Sequence, residues 1–238
     1  MIRQSRPFIV CLALSIFTLS ASGAEPNTVT DAEKADGWKL LFDGKTTTGW
    51  TGVGGKPFPA KGWTVIDGAL HHAKGGGGGD IVTADAYEDF ELSWEWKIGE
   101  GGNSGLKYNL PDPSKGVGFE YQLLDDTKHP DAKQHDGTRT TGSLYDVIAP
   151  AADKKLNPAG EWNASRVIVK GNRVEQWLNG AKTVEFEMGS DALKAAIAGS
   201  KFKSNPAFGV KSKSPILIQD HGDEISLRAM KIRALSAK

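Results

Sequence analysis

The stretch FELSWEWKI, from Phe90 to Ile98, alternates apolar and polar side chains along its whole length. Its apolar members, Trp94 and Trp96 among them, share one face, whereas Glu91 and Glu95 belong to the other. A period of two is typical of a β-strand with one buried face. The stretch therefore predicts a sheet that packs its tryptophans against a second layer.

Short strands separated by turn residues recur on both sides of this stretch. Asn179-Gly180 joins two strand patterns and suits a type I′ hairpin turn, and Asp67-Gly68 predicts a second two-residue hairpin. Further strands are predicted at 80–83, 105–110, 118–124, 166–170, 208–210, 216–218 and 225–232. Many short strands with turns between them indicate an all-β jelly-roll sandwich.

Two short helices are predicted beside the strands. Thr30 and Glu33 form a capping-box pattern for a helix that ends near Gly37. The segment 190–199 has a serine cap, an acidic first turn and a glycine after its end. The expected fold is thus an all-β sandwich with one or two short peripheral helices.

Residues 1–24 resemble a secretory signal peptide. Arg3 and Arg6 precede an apolar run, and small residues follow up to Ala24. The run is too short to cross a bilayer of about 30 Å, and no later segment resembles a membrane helix. We expect cleavage after Ala24, a single domain over 25–238, and a periplasmic or secreted protein.

The composition argues against a disulfide-stabilised domain and against a nucleic-acid-binding protein. Cys11, in the signal segment, is the only cysteine, so a large core rather than disulfides must hold the exported domain. Without Arg3 and Arg6, 27 basic residues face 29 acidic ones, with no block of like charge. This pattern argues against a nucleic-acid partner, and no protein partner can be deduced.

Seven short motifs, in order over about residues 36–235, resemble the 3-keto-disaccharide hydrolase domain family. They are GWKLLFDGK at 37–45, DFEL at 89–92, NSGL at 103–106, EYQLLD at 120–125, TGSLY at 141–145, EWN at 161–163 and LIQDHG at 217–222. The resemblance implies a concanavalin A-like sandwich and an enzyme that acts on glycosides whose sugar carries a ketone at C3. Two segments depart from the family pattern and could alter substrate contacts: Lys107-Tyr108-Asn109 and Leu227-Arg228-Ala229.

A ketone at C3 acidifies the hydrogen on C2, so a base can start elimination of the group on C1. Water then completes a net hydrolysis. Such a site needs a base, a donor for the enolate oxygen and an acid for the leaving oxygen. It does not need the two opposed carboxylates of ordinary glycosidases.

Two residues are the candidates for proton transfer. Glu120 and Gln122 share one face of a strand. This face either lies in water or forms a sugar-binding concave surface with Glu120 as base or acid. Gln219 and His221 end a strand that is otherwise apolar, and Gly222 allows a tight turn behind them. Because imidazole titrates nearest neutrality, we expect this strand end to present His221 as a catalyst rather than as a structural residue.

The remaining candidates are expected to bind substrate. They are Asn103, Gln122, Asp125, Arg139, Tyr145 and Gln219. Asp125 and Arg139 bound a polar loop that could form a rim over the site or simply be solvated. Tyr145 and Trp162 could stack on a sugar ring or pack in the core. No cofactor is indicated, although His and Asp in the loop leave a divalent cation possible.

Two other functions fit the same fold. A lectin-like, non-catalytic carbohydrate-binding module would need the polar concave face but no base, since fold alone does not decide function. A conventional glucanase would need a Glu-x-Asp-x-Glu strand. The nearest match, from Glu91 to Glu95, lacks the central aspartate.

Overall fold

A computed structural model describes residues 25–236 as two antiparallel sheets packed face to face. The expected concanavalin A-like β-sandwich is thereby confirmed. Residues 1–24, predicted to be a signal peptide and containing Cys11, lie outside the described residues. No helix among residues 25–236 has the length and apolarity that a membrane span requires.

The elements follow one another in chain order. They are α1 (Asp31–Ala35), β1 (Lys39–Leu40), β2 (Trp50–Gly52), β3 (Trp63–Ile66), β4 (Ala69–His72), β5 (Ile81–Thr83), β6 (Phe90–Ile98), β7 (Asn103–Asp112), β8 (Val117–Leu124), β9 (Asn163–Lys170), β10 (Arg173–Leu178), β11 (Ala181–Glu187), α2 (Asp191–Ala198), β12 (Leu217–Ile218) and β13 (Ile225–Ala234). Single 3-10 turns lie at Pro113–Lys115, Pro130–Lys133 and His135–Gly137.

The larger sheet has eight strands. Seven follow the order β11-β10-β9-β6-β13-β4-β3, and the eighth, β1, pairs with the C-terminal half of β13. β6 lies near its middle, between β9 and β13. A bulge interrupts β13 after Arg228, where Ala229 adopts a left-handed φ of 50°. The central position of β6 explains why its apolar face is fully buried.

The smaller sheet has five strands in the order β2-β5-β12-β7-β8. Its inner face supplies Tyr108 and Tyr121 to the core, where Trp94 of β6 meets Tyr121 edge to face with ring centroids 5.1 Å apart. Phe90 meets Tyr108 in the same manner at 6.1 Å. Because side chains alternate along a strand, the intervening residues of β7 and β8 face away from this core.

Local signals in the sequence produced most of the predicted elements. Asn179 and Gly180 have φ of 46° and 81°, as a type I′ turn requires, and the α1 capping box is present. The strand predicted at 208–210 is wrong. Phe208 instead stacks on Phe202 at 4.0 Å within a turn, where Gly209 takes a φ of 87°. Phe208 is buried by this tertiary packing, Val210 is exposed, and the segment pairs with no strand.

Candidate active site

A cavity of about 180 Å³ lies on the outer face of the smaller sheet, over β7, β8 and the end of β12. It is lined by Asn103, Lys107, Gly116, Val117, Gly118, Glu120, Gln122, Tyr145, Lys201, Phe202, Gln219 and His221. Six of the eight predicted site residues, including both candidates for proton transfer, therefore lie around one cavity. The polar face of β8 is buried and lines a cavity rather than being a solvated surface.

Glu120 lies at the floor of the cavity and is 7 % exposed. Its side chain lies across Gly105 on the neighbouring strand, where a Cβ at position 105 would come within 2.3 Å of Glu120 Oε1. The glycine in NSGL thus leaves the space that the carboxylate occupies. A larger residue at position 105 would displace the side chain of Glu120.

Lys107 lies opposite Glu120 in the β7–β8 register, with its Nζ 3.6 Å from Glu120 Oε2. The same Nζ donates to Gly116 O at 3.2 Å. Burial raises the pKa of Glu120, while the charges of Lys107 and Lys201 oppose the rise. The carboxylate is therefore a stronger base than an exposed glutamate, and the lysines favour its ionised form.

Two amide side chains continue the polar face beside Glu120. The side chains of Gln122 and Asn103 lie 3.1 Å apart, and both are buried. With its nitrogen turned towards Glu120, Gln122 donates to Glu120 Oε1 at 3.1 Å and to Ser104 O at 3.3 Å. In this orientation an amide N–H rather than a second oxygen faces the carboxylate, and the Asn103 amide must turn as well so that its nitrogen faces the Gln122 oxygen.

The turn after β12 is held by two carboxylates. Asp220 N donates to Asp80 Oδ1 at 2.9 Å, and the Asp220 carboxylate accepts from Gly79 N at 2.8 Å and Gly222 N at 2.9 Å. Gly222 has a φ of 87°, which favours glycine. His221 follows this anchored segment at the mouth of the cavity, and its side chain is 46 % exposed.

Gln219 presents an unpaired acceptor to the cavity. Its Oε1 is buried and has no hydrogen-bond partner among the described residues. Its backbone is fixed by donation from Gln219 N to Gly105 O at 2.9 Å. A buried polar atom without a partner costs stability, so this oxygen is available for a donor group of a ligand.

Tyr145 is placed by the segment 141–145, which runs along the free edge of β8. Leu144 bridges to Tyr121, and Tyr145 N donates to Glu120 O at 3.0 Å. The Tyr145 hydroxyl donates to Asp131 at 3.1 Å, which leaves its ring to form one wall of the cavity. The position of Tyr145 in the cavity lining follows directly from this edge pairing.

The structure places Asp125, Arg139 and Trp162 away from the cavity lining. The Asp125 carboxylate caps a loop and accepts from Gly101 N at 2.8 Å, while Arg139 Nε donates to Asp146 Oδ1 at 2.5 Å. Trp162 lies beneath the guanidinium of Arg228 at 4.0 Å. All three are engaged in intramolecular contacts, which a loop sequence alone does not reveal.

Sequence reasoning named neither lysine of the cavity as a site residue, although it noted that the segment containing Lys107 could alter substrate contacts. Lys107 had a detectable signal, because it follows Asn103 and Gly105 at a period of two on β7. Lys201 had none, because it comes from a turn after α2, far from the other residues in sequence. Among residues 25–236, no group of three or more His, Cys, Asp or Glu side chains could hold a metal ion.

Residues 37–233 match the 3-keto-alpha-glucoside-1,2-lyase-like domain. The chain belongs to this family. A 3-keto-disaccharide hydrolase of Bacteroides thetaiotaomicron is 32% identical over 92% of this chain and 86% of its own length. Membership in the lyase-like family, together with this relative, confirms the expected enzyme class, a glycoside-cleaving hydrolase.

Solved structures agree with this family assignment. A Parabacteroides distasonis protein assigned to the glycosyl hydrolases has 37% identity and a TM-score of 0.80, covering 89% of this chain and 100% of its own. A second protein from that organism, assigned likewise, has 28% identity and a TM-score of 0.66, covering 83% of this chain and 99% of its own. The VIP36 exoplasmic/lumenal domain shares the fold alone. It has 10% identity and a TM-score of 0.50, and the match covers 84% of this chain and 89% of the VIP36 chain.

Proposed function

We propose that this enzyme cleaves the glycosidic bond of 3-keto-glycosides, including 3-keto-disaccharides, by elimination followed by hydration. The observation that carries the proposal is the setting of Glu120. It is the only carboxylate among the described residues that line the cavity, and burial raises its pKa. A single strengthened base suits abstraction of an acidic hydrogen, whereas conventional glycosidases use two carboxylates about 5–9.5 Å apart.

The steps follow from the chemistry of the substrate. Glu120 takes the hydrogen from C2 as a proton. The electron pair of the broken C2–H bond then forms the enolate of C2, C3 and the ketone oxygen. The enolate then expels the C1 oxygen, which takes a proton from His221 and leaves a C1=C2 double bond. Water adds hydroxyl to C1 and hydrogen to C2, so the net change is hydrolysis.

The remaining lining residues orient the sugar. The unpaired Gln219 Oε1 can accept a hydroxyl proton, and the half-buried Tyr145 ring forms an aromatic wall beside the sugar. Asn103 and Gln122 hold Glu120 and extend the polar floor. Asp125 and Arg139 act on this site through the loops that they brace.

The test compares a 3-keto-disaccharide with its unoxidised parent of the same linkage. We expect release of monosaccharide from the keto compound alone, and His221→Asn should slow that release by about 10²-fold. The reaction is also run in D2O, and the products are reduced at once with borohydride. The sugar that carried the ketone should then contain deuterium at C2. Preferential cleavage of the parent would overturn the substrate class, and retention of hydrogen at C2 would overturn elimination.

We also propose that the enzyme acts after export, as the features of residues 1–24 indicate. The mass of the protein purified from its native host should then correspond to a chain that begins at Glu25. A native protein that still begins at Met1 would contradict this proposal.

A further inference from the structure

The two lysines of the cavity differ in how they are paired. Lys107 Nζ is engaged by Glu120 and by the carbonyl of Gly116, at 3.6 Å and 3.2 Å. Lys201 Nζ makes no ion pair and no hydrogen bond with any residue in the range 25–236; it lies 4.1 Å from the centroid of the Tyr145 ring. The cavity therefore contains one occupied ammonium group and one that is available to a ligand.

The backbone of Lys201 is fixed relative to Glu120 through a short chain of hydrogen bonds. Lys201 N donates to Asp146 Oδ2 at 2.7 Å, and the residue before Asp146, Tyr145, donates its N–H to Glu120 O at 3.0 Å. Asp146 is 4 % exposed, and Arg139 Nε donates to its other oxygen at 2.5 Å. Lys201 and Glu120 thus belong to one connected unit, although 81 positions separate them in sequence.

The electrostatics of Lys201 agree with this arrangement. Partial burial lowers the pKa of Lys201, although the charges of Glu120 and Asp146 oppose the shift. Lys201 in turn favours the ionised form of Glu120. An ammonium group that faces both a base and an open cavity is suited to a substrate oxygen that becomes negative when the base acts.

We propose that Lys201 is a further catalytic residue, which binds the ketone oxygen and stabilises the enolate formed when Glu120 removes the C2 hydrogen. No bond to Lys201 forms; the ammonium only compensates the charge that moves from the carboxylate to the ketone oxygen. A 3-hydroxyl group cannot acquire this charge, so Lys201 also contributes to selection of oxidised sugars. This assignment rests on the proposed function.

The experiment isolates proton abstraction from bond cleavage. A 3-keto-1,5-anhydrosugar has no aglycone, so exchange of its C2 hydrogen in D2O reports the action of the base alone. Lys201→Met should slow enzyme-catalysed exchange by about 10²- to 10³-fold, the usual effect of losing one oxyanion donor. Affinity for the unoxidised parent disaccharide should change little, and the matched exposed variant Lys203→Met should behave like the wild type.

A pH profile separates a charge effect from a structural one. Wild-type exchange should fall at alkaline pH as Lys201 loses its proton, and Lys201→Arg should move that limb to higher pH because guanidinium stays protonated. Near-normal exchange in Lys201→Met would overturn the role of Lys201 while leaving the elimination intact. Absence of exchange in the wild type would instead overturn the elimination, and with it this role. A Lys201 adduct trapped by cyanoborohydride would indicate an iminium and also overturn the proposal.

Discussion

Both sheets of the sandwich have a buried glutamate on their outer face, but the two carboxylates differ in their partners. Glu91 of β6 accepts hydrogen bonds from Arg166 at 3.3 Å and from Arg233 at 2.9 Å and 2.6 Å. Glu120 of β8 has one ammonium group at 3.6 Å and adjoins a cavity. The charge of Glu91 is therefore compensated by two arginines of the fold, whereas Glu120 can still accept a proton.

This difference has a physical origin in what covers each face. On the larger sheet, guanidinium groups from adjacent strands lie over the carboxylate, and aromatic side chains such as Trp177 lie beneath Arg166, 4.4 Å away. On the smaller sheet, the segments that bear Tyr145 and Lys201 help to bury the carboxylate but leave a cavity beside it. A charge that is desolvated without full pairing has a shifted pKa, and such groups concentrate at functional sites.

The largest expected effect comes from exchanging each glutamate for glutamine. Glu120→Gln should lower turnover of a 3-keto-glycoside by about 10²- to 10⁴-fold, because the base is lost while the shape is kept. Glu91→Gln should keep normal turnover but lower the free energy of unfolding by about 1–3 kcal/mol, since two arginines lose a charged acceptor. Steady-state kinetics and denaturant titration measure both quantities. A catalytic loss in Glu91→Gln equal to that in Glu120→Gln would remove the distinction between the two faces.

A smaller effect is expected when the space for Glu120 is filled. In Gly105→Ala the new methyl group would lie 2.3 Å from Glu120 Oε1 and 2.8 Å from its Cδ, so the carboxylate must move. Displacement of a catalytic group by about 1 Å can cost 10²-fold in rate, and we expect a loss of about 10- to 10²-fold. Gly199→Ala is the control, because its nearest new contact is 3.5 Å. Unchanged turnover in Gly105→Ala would show that the position of Glu120 is not critical.

The smallest effect is a shift in pH dependence. Glu120 must be ionised to act, so the rate should fall as pH drops through its raised pKa. Lys107→Met removes a positive charge that lowers this pKa, so the acid limb of turnover should move to higher pH. Arg166→Met, the matched change on the other sheet, should leave the limb in place. An acid limb that stays fixed in Lys107→Met, or moves to lower pH, would contradict the role given to Lys107.

The sequence by itself determined most of the strands, the hairpin turns and the polar face of β8, because these depend on local periodicity and turn chemistry. Alternation placed Glu120 and Gln122 together, and Asn179-Gly180 specified a turn that the structure contains. The family motifs further brought His221 and Tyr145 into consideration. Six predicted residues meet at the cavity for these reasons.

Only the tertiary structure decided which polar face borders a cavity. Glu91 and Glu120 both follow the same alternating pattern, and nothing local distinguishes the carboxylate that two arginines cover from the one beneath a cavity. The residues that make the difference, Tyr145 and Lys201, arrive from distant segments through Asp146 and the edge of β8. The burial of a carboxylate and the compensation of its charge depend on all the residues around it, including those from distant segments. A short stretch of sequence therefore cannot predict either property.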